Sequence, residues 1–168
     1  HSRECSIIEL NLKVMTNQPL AEMDMNRLRF YLGGNDYDAQ MLYLWLNHHL
    51  GRIEVEVGDK IFSLSAQDCQ VVGFGCDDNI LPYPTNVYEG YRILQEFLTF
   101  PQGYMFFDLL NLSRSLPADL TGDFRIRFCF SRTLPADVRI RESSFQLYCT
   151  PAINLFEHDA DPVELSGR

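Results

Sequence analysis

Phe124-Arg125-Ile126-Arg127-Phe128-Cys129-Phe130 places a large apolar side chain at every second position, with Asp123, Arg125, Arg127 and Cys129 between them. Side chains of a strand point alternately to opposite faces, so a period of two marks a half-buried strand. The pattern recurs upstream. In Ser6 to Val14, Ile8, Leu10, Leu12 and Val14 share one face and Glu9, Asn11 and Lys13 the other. After the Asn17-Gln18-Pro19 turn, Leu28, Phe30 and Leu32 alternate with Arg27, Arg29 and Tyr31. Arg52 to Val57, a Gly58-Asp59-Lys60 turn and Ile61 to Leu64 read as a hairpin. Tyr104 to Leu110 is strongly apolar and reads as a buried strand, and Phe145, Leu147 and Cys149 suggest one more.

Two helices interrupt the strands. Gly33-Gly34-Asn35 ends a strand, and Asn35 or Asp36 can cap a helix running to about Leu50. Tyr37, Met41, Leu44, Trp45 and His48 fall on one of its faces, and Gly51 sits where a left-handed terminal residue is expected. A second helix is expected from near Asn86, with Glu89 completing a capping box and Pro101 ending it. Val87, Tyr91, Leu94 and Leu98 form one stripe along it. Strands and helices do not alternate regularly, which disfavours a doubly wound sheet. The expected fold is α+β, with six to eight mostly antiparallel strands and two main helices. Residues 1–168 read as one unit, with a sub-boundary expected near residues 73–85, a stretch rich in Gly, Asp and Pro.

Composition narrows the function. The 168 residues are 46% hydrophobic and 22% charged, a balance that supports a packed core rather than disorder. Only 14 Lys and Arg oppose 23 Asp and Glu, so neither a nucleic-acid grip nor attraction to an anionic membrane surface is expected. Five scattered cysteines, Cys5, Cys69, Cys76, Cys129 and Cys149, read as reduced thiols in a reducing compartment. No apolar run reaches the roughly 20 residues that a bilayer requires. The polar start His1-Ser2-Arg3-Glu4 lacks a signal-peptide pattern, and the chain reads as a piece of a longer protein.

The search for chemistry finds one dense polar cluster, Glu157-His158-Asp159-Ala160-Asp161. Its carboxylates and imidazole suit a divalent metal or acid–base work, which gives a metal-dependent hydrolase or lyase as an alternative. It lacks the paired histidines of a helical zinc motif and the alternating ligands and glycine bend of a calcium loop. A turn capped by Asp159 and Asp161 before Pro162 is the simpler reading. His48 and His49 are adjacent on a helix and do not converge on one ion; His48 is expected on the core stripe or capping carbonyls. Cys69 and Cys76 are too far apart for a zinc pair and are expected to be buried thiols. Gly73-Phe74-Gly75 lacks the remaining glycine and lysine of a phosphate loop. Twelve Phe, eight Tyr and one Trp mostly fill a core, while some line a surface that a partner covers. A carbohydrate- or peptide-binding module using exposed aromatics is the second alternative.

Three blocks carry a resemblance: LRFYLGG (Leu28–Gly34), YRILQEFLTFP (Tyr91–Pro101) with GYMFFDL (Gly103–Leu109), and CTPAINLFEHDADP (Cys149–Pro162). In this order they resemble the TssF (VasA/ImpG) family of type VI secretion baseplate proteins, from which Val163-Glu164-Leu165-Ser166 departs locally. The resemblance implies an internal segment of a cytoplasmic bacterial structural protein with a phage-baseplate-wedge-like fold. It implies no catalytic residue, metal or cofactor. Implied partners are TssG-like, TssK-like, TssE-like and VgrG-like proteins and a second TssF copy, with no nucleic acid and no membrane insertion. Asn154, Leu155, Phe156, Glu157, His158 and Asp159 are the expected interface residues.

Overall fold

Antiparallel pairing dominates the computed structural model, which describes residues 5–23, 25–84, 86–117 and 119–154. Among the described residues, eight strands form two four-stranded sheets. The first has the order β1 (Ser6–Leu12), β7 (Phe124–Phe130), β3 (Leu50–Val57), β4 (Lys60–Ser65). The second has the order β5 (Cys69–Val71), β6 (Phe106–Leu110), β2 (Arg27–Leu32), β8 (Phe145–Gln146). Every pairing is antiparallel.

The alternating stretch Phe124–Phe130 is an inner strand. Phe128 lies opposite Ile8 on one side and Ile53 on the other. Phe124, Ile126, Phe128 and Phe130 are all buried. The sheets meet through aromatic rings: Phe128 lies edge-on to Phe107 at 6.0 Å and stacks on Phe145 at 6.2 Å. Phe107 in turn stacks on Phe30 at 5.1 Å. Offset and edge-on geometries suit the ring quadrupole, so these contacts add to simple area burial. On the opposite face of the first sheet, Arg125 and Arg127 bridge Glu9 and Glu56 at 2.9–3.5 Å. The side-chain hydrogen bond to Glu9 is the main cause that holds the Arg127 guanidinium above its ordinary pKa.

Helix α1 (Asp36–His48) carries the chain from β2 to β3 and so from one sheet to the other. Asn35 caps it by accepting from the Asp38 amide at 2.9 Å. Its core face is rotated from the expected one: Ala39, Leu42, Trp45 and Leu46 are buried, whereas Tyr37, Leu44 and His48 are exposed. The rotation seats Asp38 inward, where its carboxylate accepts from the Arg139 amide at 3.0 Å. Gly51 does not cap the helix in a left-handed conformation; it sits within β3, where the register shifts between Leu50 and Arg52. Gly58, at φ +56°, makes the expected hairpin turn.

The second helix, α2 (Glu89–Thr99), starts three residues later than expected. Tyr88 occupies the cap position without a side-chain hydrogen bond, so the expected capping box is not formed. A one-turn helix, α3 (Leu112–Ser115), follows β6 and buries Leu112. The last strand is only Phe145–Gln146, because Tyr148 at φ +60° turns the chain away before Cys149.

Candidate partner interface

Helix α2 has its sides reversed relative to the usual surface helix, in which the apolar stripe faces the core. Its two buried residues are Arg92 and Glu96, each 2% exposed. The stripe of Val87, Tyr91, Leu94 and Leu98 faces outward, with Tyr91 65% and Leu98 73% exposed. Tyr88 and Phe97 extend the apolar surface on either side. Tyr88 lies edge-on to Tyr91 at 5.9 Å. Scattered exposed apolar side chains are ordinary, but a contiguous aromatic and leucine surface marks a contact site.

What holds the helix this way is a polar cluster against the Gly73–Pro84 loop. Arg92 Nη1 donates to Glu96 Oε2 at 3.0 Å and to the Gly73 carbonyl at 3.4 Å, and Nη2 donates to the Gly75 carbonyl at 3.0 Å. Glu96 Oε1 accepts from the Ile80 and Leu81 amides at 2.9 and 3.1 Å. The Tyr104 hydroxyl has two acceptors for its one proton, Glu96 Oε2 at 3.3 Å and the Ile93 carbonyl at 3.2 Å. Burial first, and the Glu96 carboxylate second, push the Tyr104 phenol above its ordinary pKa. The amides of Gly73 and Gly75 both donate to Asp78 Oδ2 at 3.0 Å. The glycine pair therefore already holds a carboxylate, and its carbonyls hold a guanidinium. Gly73 has φ +107°, and a Cβ there would meet the Tyr104 ring at 2.8 Å, so a side chain is excluded.

The charge within this stretch of sequence is one-sided. Between Gly73 and Tyr104 the sequence has one basic residue, Arg92, against Asp77, Asp78, Glu89 and Glu96. Arg92 is buried and paired, so the exposed surface of the segment carries no positive side chain, while Asp77 and Glu89 are exposed. Sequence reasoning found the stripe but missed the Arg92–Glu96 pair. Its only signal is an Arg and a Glu four apart, which on most helices is a solvated surface pair.

Beside this unit, a cavity of about 380 Å³ lies over the outer face of the second sheet, bounded by Arg27, Arg29, Asp78, Phe106, Pro151 and Ile153. Arg29 grips Asp108 across the β2–β6 ladder with two bonds of 2.7 and 2.8 Å. That hydrogen-bonded pairing raises the Arg29 pKa against the opposing effect of burial. The chain passes this cavity and reaches Asn154, which is exposed. The other expected interface residues, Leu155, Phe156, Glu157, His158 and Asp159, lie outside the described residues, as does Asp161 of the polar cluster. Among the described residues, no group of three or more His, Cys, Asp or Glu is gathered to hold a metal. No helix among them is long and apolar enough to cross a membrane.

Cys69 and Cys76 differ in environment rather than both being buried. Cys76 is exposed, which corrects the expectation for it; Cys69 is half-buried at the edge of the second sheet. Burial, with the Asp108 carboxylate adding to it, pushes the Cys69 thiol up to about 12. At pH 8 its thiolate fraction is then about 10⁻⁴, against roughly a tenth for an ordinary thiol. Iodoacetamide at pH 8 should alkylate Cys76 quickly and Cys69 at least a hundredfold more slowly until the protein is unfolded, as read by peptide mass spectrometry. Equal rates would contradict the placement of β5. The same shift makes the fold weaken as pH rises from about 9 to 12, because the unfolded thiol ionises first.

Three comparisons bear on what this surface serves. A family model described as type VI secretion system, TssF, matches residues 1–168. The type VI secretion system component TssF1 of Pseudomonas aeruginosa PAO1 is 28% identical over 167 residues, covering 96% of this chain and 26% of that protein. A chain in the cryo-electron microscopy structure of a TssK-TssF-TssG baseplate subcomplex superposes with a TM-score of 0.70 at 22% identity. That match covers 84% of this chain and 27% of the other, and it supports the two-sheet fold. The chain spans about a quarter of the length of the relatives it matches.

Proposed function

The chain belongs to the type VI secretion system TssF family, and from that premise we propose that it is a structural part of a baseplate wedge, assembling with TssG-like and TssK-like subunits. The family match across all 168 residues carries this reading. The outward apolar face of α2 supports it, since obligate assemblies use large apolar contacts. The role is mechanical: two sheets locked by Phe107, Phe128 and Phe145 form a unit that keeps its shape while neighbours move. In the wider reading, which rests on the family, the protein is cytoplasmic and works without turnover. It meets a second copy of itself, a TssE-like protein and a VgrG-like spike, and supports sheath assembly and contraction.

The test uses the full-length protein that contains this segment, co-expressed with the TssG and TssK of the same organism. Both should stay with it through affinity and size-exclusion chromatography at physiological salt. Retention of neither subunit would sink the proposal.

A further inference from the structure

We infer that the open edge of β1, at Ile7, Glu9 and Asn11, is the docking site for an extended segment of a TssG-like or TssK-like subunit, with large apolar residues at alternate positions. This deepens the assembly reading above and rests on it.

The first observation is the backbone of that edge. β1 is the end strand of its sheet and pairs with β7 alone. The register fixes which of its groups are used. The two-residue turn Gly58-Asp59 makes Val57 and Lys60 the hydrogen-bonded pair that closes the hairpin. Hydrogen-bonded and open pairs alternate from there across β3 and β7. Ser6, Ile8, Leu10 and Leu12 therefore turn their N–H and C=O groups to β7, and Ile7, Glu9 and Asn11 turn theirs away. Among the described residues nothing takes up the groups that point away. Natural edge strands are usually short or blunted. β5 and β8 have three and two residues, whereas β1 runs for seven without a proline or a register shift. Such a row of donors and acceptors is matched by another extended backbone.

The second observation is a cleft along the same edge. A cavity of about 490 Å³ touches four successive residues, Glu9 to Leu12, whose side chains alternate between the two faces of the strand. It therefore runs beside the edge rather than over one face. Its far wall includes Phe145 and Leu147, where the second sheet ends at β8, and the buried Phe30 lies at its base. Leu10, Leu12, Phe145 and Leu147 are only half-buried. A strand bonded to Ile7, Glu9 and Asn11 would send every second side chain into this cleft.

Those side chains decide the kind of occupant, because they must not already be buried in a core. β1 of a second copy does not qualify: its Ile8 is buried, and its Leu10 and Leu12 pack against its own core. An extended tail or linker of a different subunit qualifies. The fold is also complete without the added strand, since β7 pairs with β1 along its whole length. That suits a segment that arrives after folding. Charge adds little to the choice, because Arg125 and Arg127 already bridge Glu9.

Amide hydrogen exchange, resolved to single residues by mass spectrometry, compares the full-length protein alone with its complex with TssG and TssK. Alone, the amides of Ile7, Glu9 and Asn11 should exchange fast and those of Ile8, Leu10 and Leu12 slowly. In the complex the first three should slow at least a hundredfold. In parallel, p-benzoylphenylalanine replaces Asn11 or Glu142, which are exposed on the two walls of the cleft. After irradiation of the complex, adducts from both positions should converge on one segment of TssG or TssK with large apolar residues at alternating positions. Unchanged exchange at Ile7, Glu9 and Asn11 in a complex that assembles normally would overturn the inference. So would slow exchange there in the full-length protein alone, or adducts on a second copy or on another segment of the same polypeptide. The baseplate reading survives each of these results. If the unaltered protein retains neither TssG nor TssK, both fall together.

Discussion

Phe128→Ala should lower the unfolding free energy of the 168-residue chain by about 3–5 kcal/mol, the range for truncating a fully buried phenylalanine. Phe128 is 0% exposed and sits at the middle of an inner strand. It is also the ring through which the first sheet touches both Phe107 and Phe145 of the second. The cavity left by an alanine would therefore fall between the sheets, where β-strands paired on both sides leave the walls little freedom to close. Phe128→Leu retains much of the volume and should cost clearly less. Urea denaturation followed by far-ultraviolet circular dichroism gives both values. A loss below about 1 kcal/mol for the alanine variant would mean that the two sheets do not share this core. Domains of ordinary stability have only 5–15 kcal/mol in total, so the predicted loss is a large part of what holds the fold.

The sheets were legible because their alternation is strict. Where one face is buried, a one-residue slip would expose every phenylalanine of Phe124–Phe130, so the pattern specifies both strand and register. The hairpin at Gly58 and the cap at Asn35 were legible for the same kind of reason, since each needs a particular residue type at one position. The core face of α1 was less so. Its apolar residues nearly encircle it, with Met41, Leu42, Tyr43, Leu44, Trp45 and Leu46 in succession, and the Arg139 amide that meets the buried Asp38 is about a hundred residues away in sequence. The orientation of α2 could not be read from periodicity, which gives the direction of a stripe but not what lies on either side of the helix. The partner of the polar face is the backbone of a loop, Gly73 to Leu81, and backbone groups leave no trace in a residue pattern. The resemblance located the family from three sequence blocks; one of them, Tyr91–Pro101, holds the buried pair and all of the exposed stripe except Val87.

Glu96→Ala should cost about 3–5 kcal/mol, because it leaves the Arg92 charge buried without its counter-ion. It also strands the Ile80 and Leu81 amides, which both donate to that carboxylate, and leaves the Tyr104 hydroxyl with the Ile93 carbonyl as its acceptor. The loop should loosen with it, seen as faster proteolysis between Gly73 and Pro84. Removing the charge on both sides is a different experiment. Arg92→Met with Glu96→Leu takes away the desolvation penalty along with the pair, and it removes the buried Arg92 Nε, which has no partner among the described residues. The double variant should therefore be less destabilised than Glu96→Ala alone, a non-additivity that a double-mutant cycle measures directly. Its defect should appear in orientation instead. With an apolar side in both directions, nothing polar remains to hold the Tyr91–Leu98 stripe outward, and the hydrophobic effect favours rolling it toward the loop. Tyr91 and Leu98 in the double variant should then gain protection from hydroxyl-radical footprinting, while the partner subunits are lost. If footprinting instead leaves both residues as reactive as in the unaltered chain, the buried pair contributes stability alone, and the direction of the face must be set by the loop backbone.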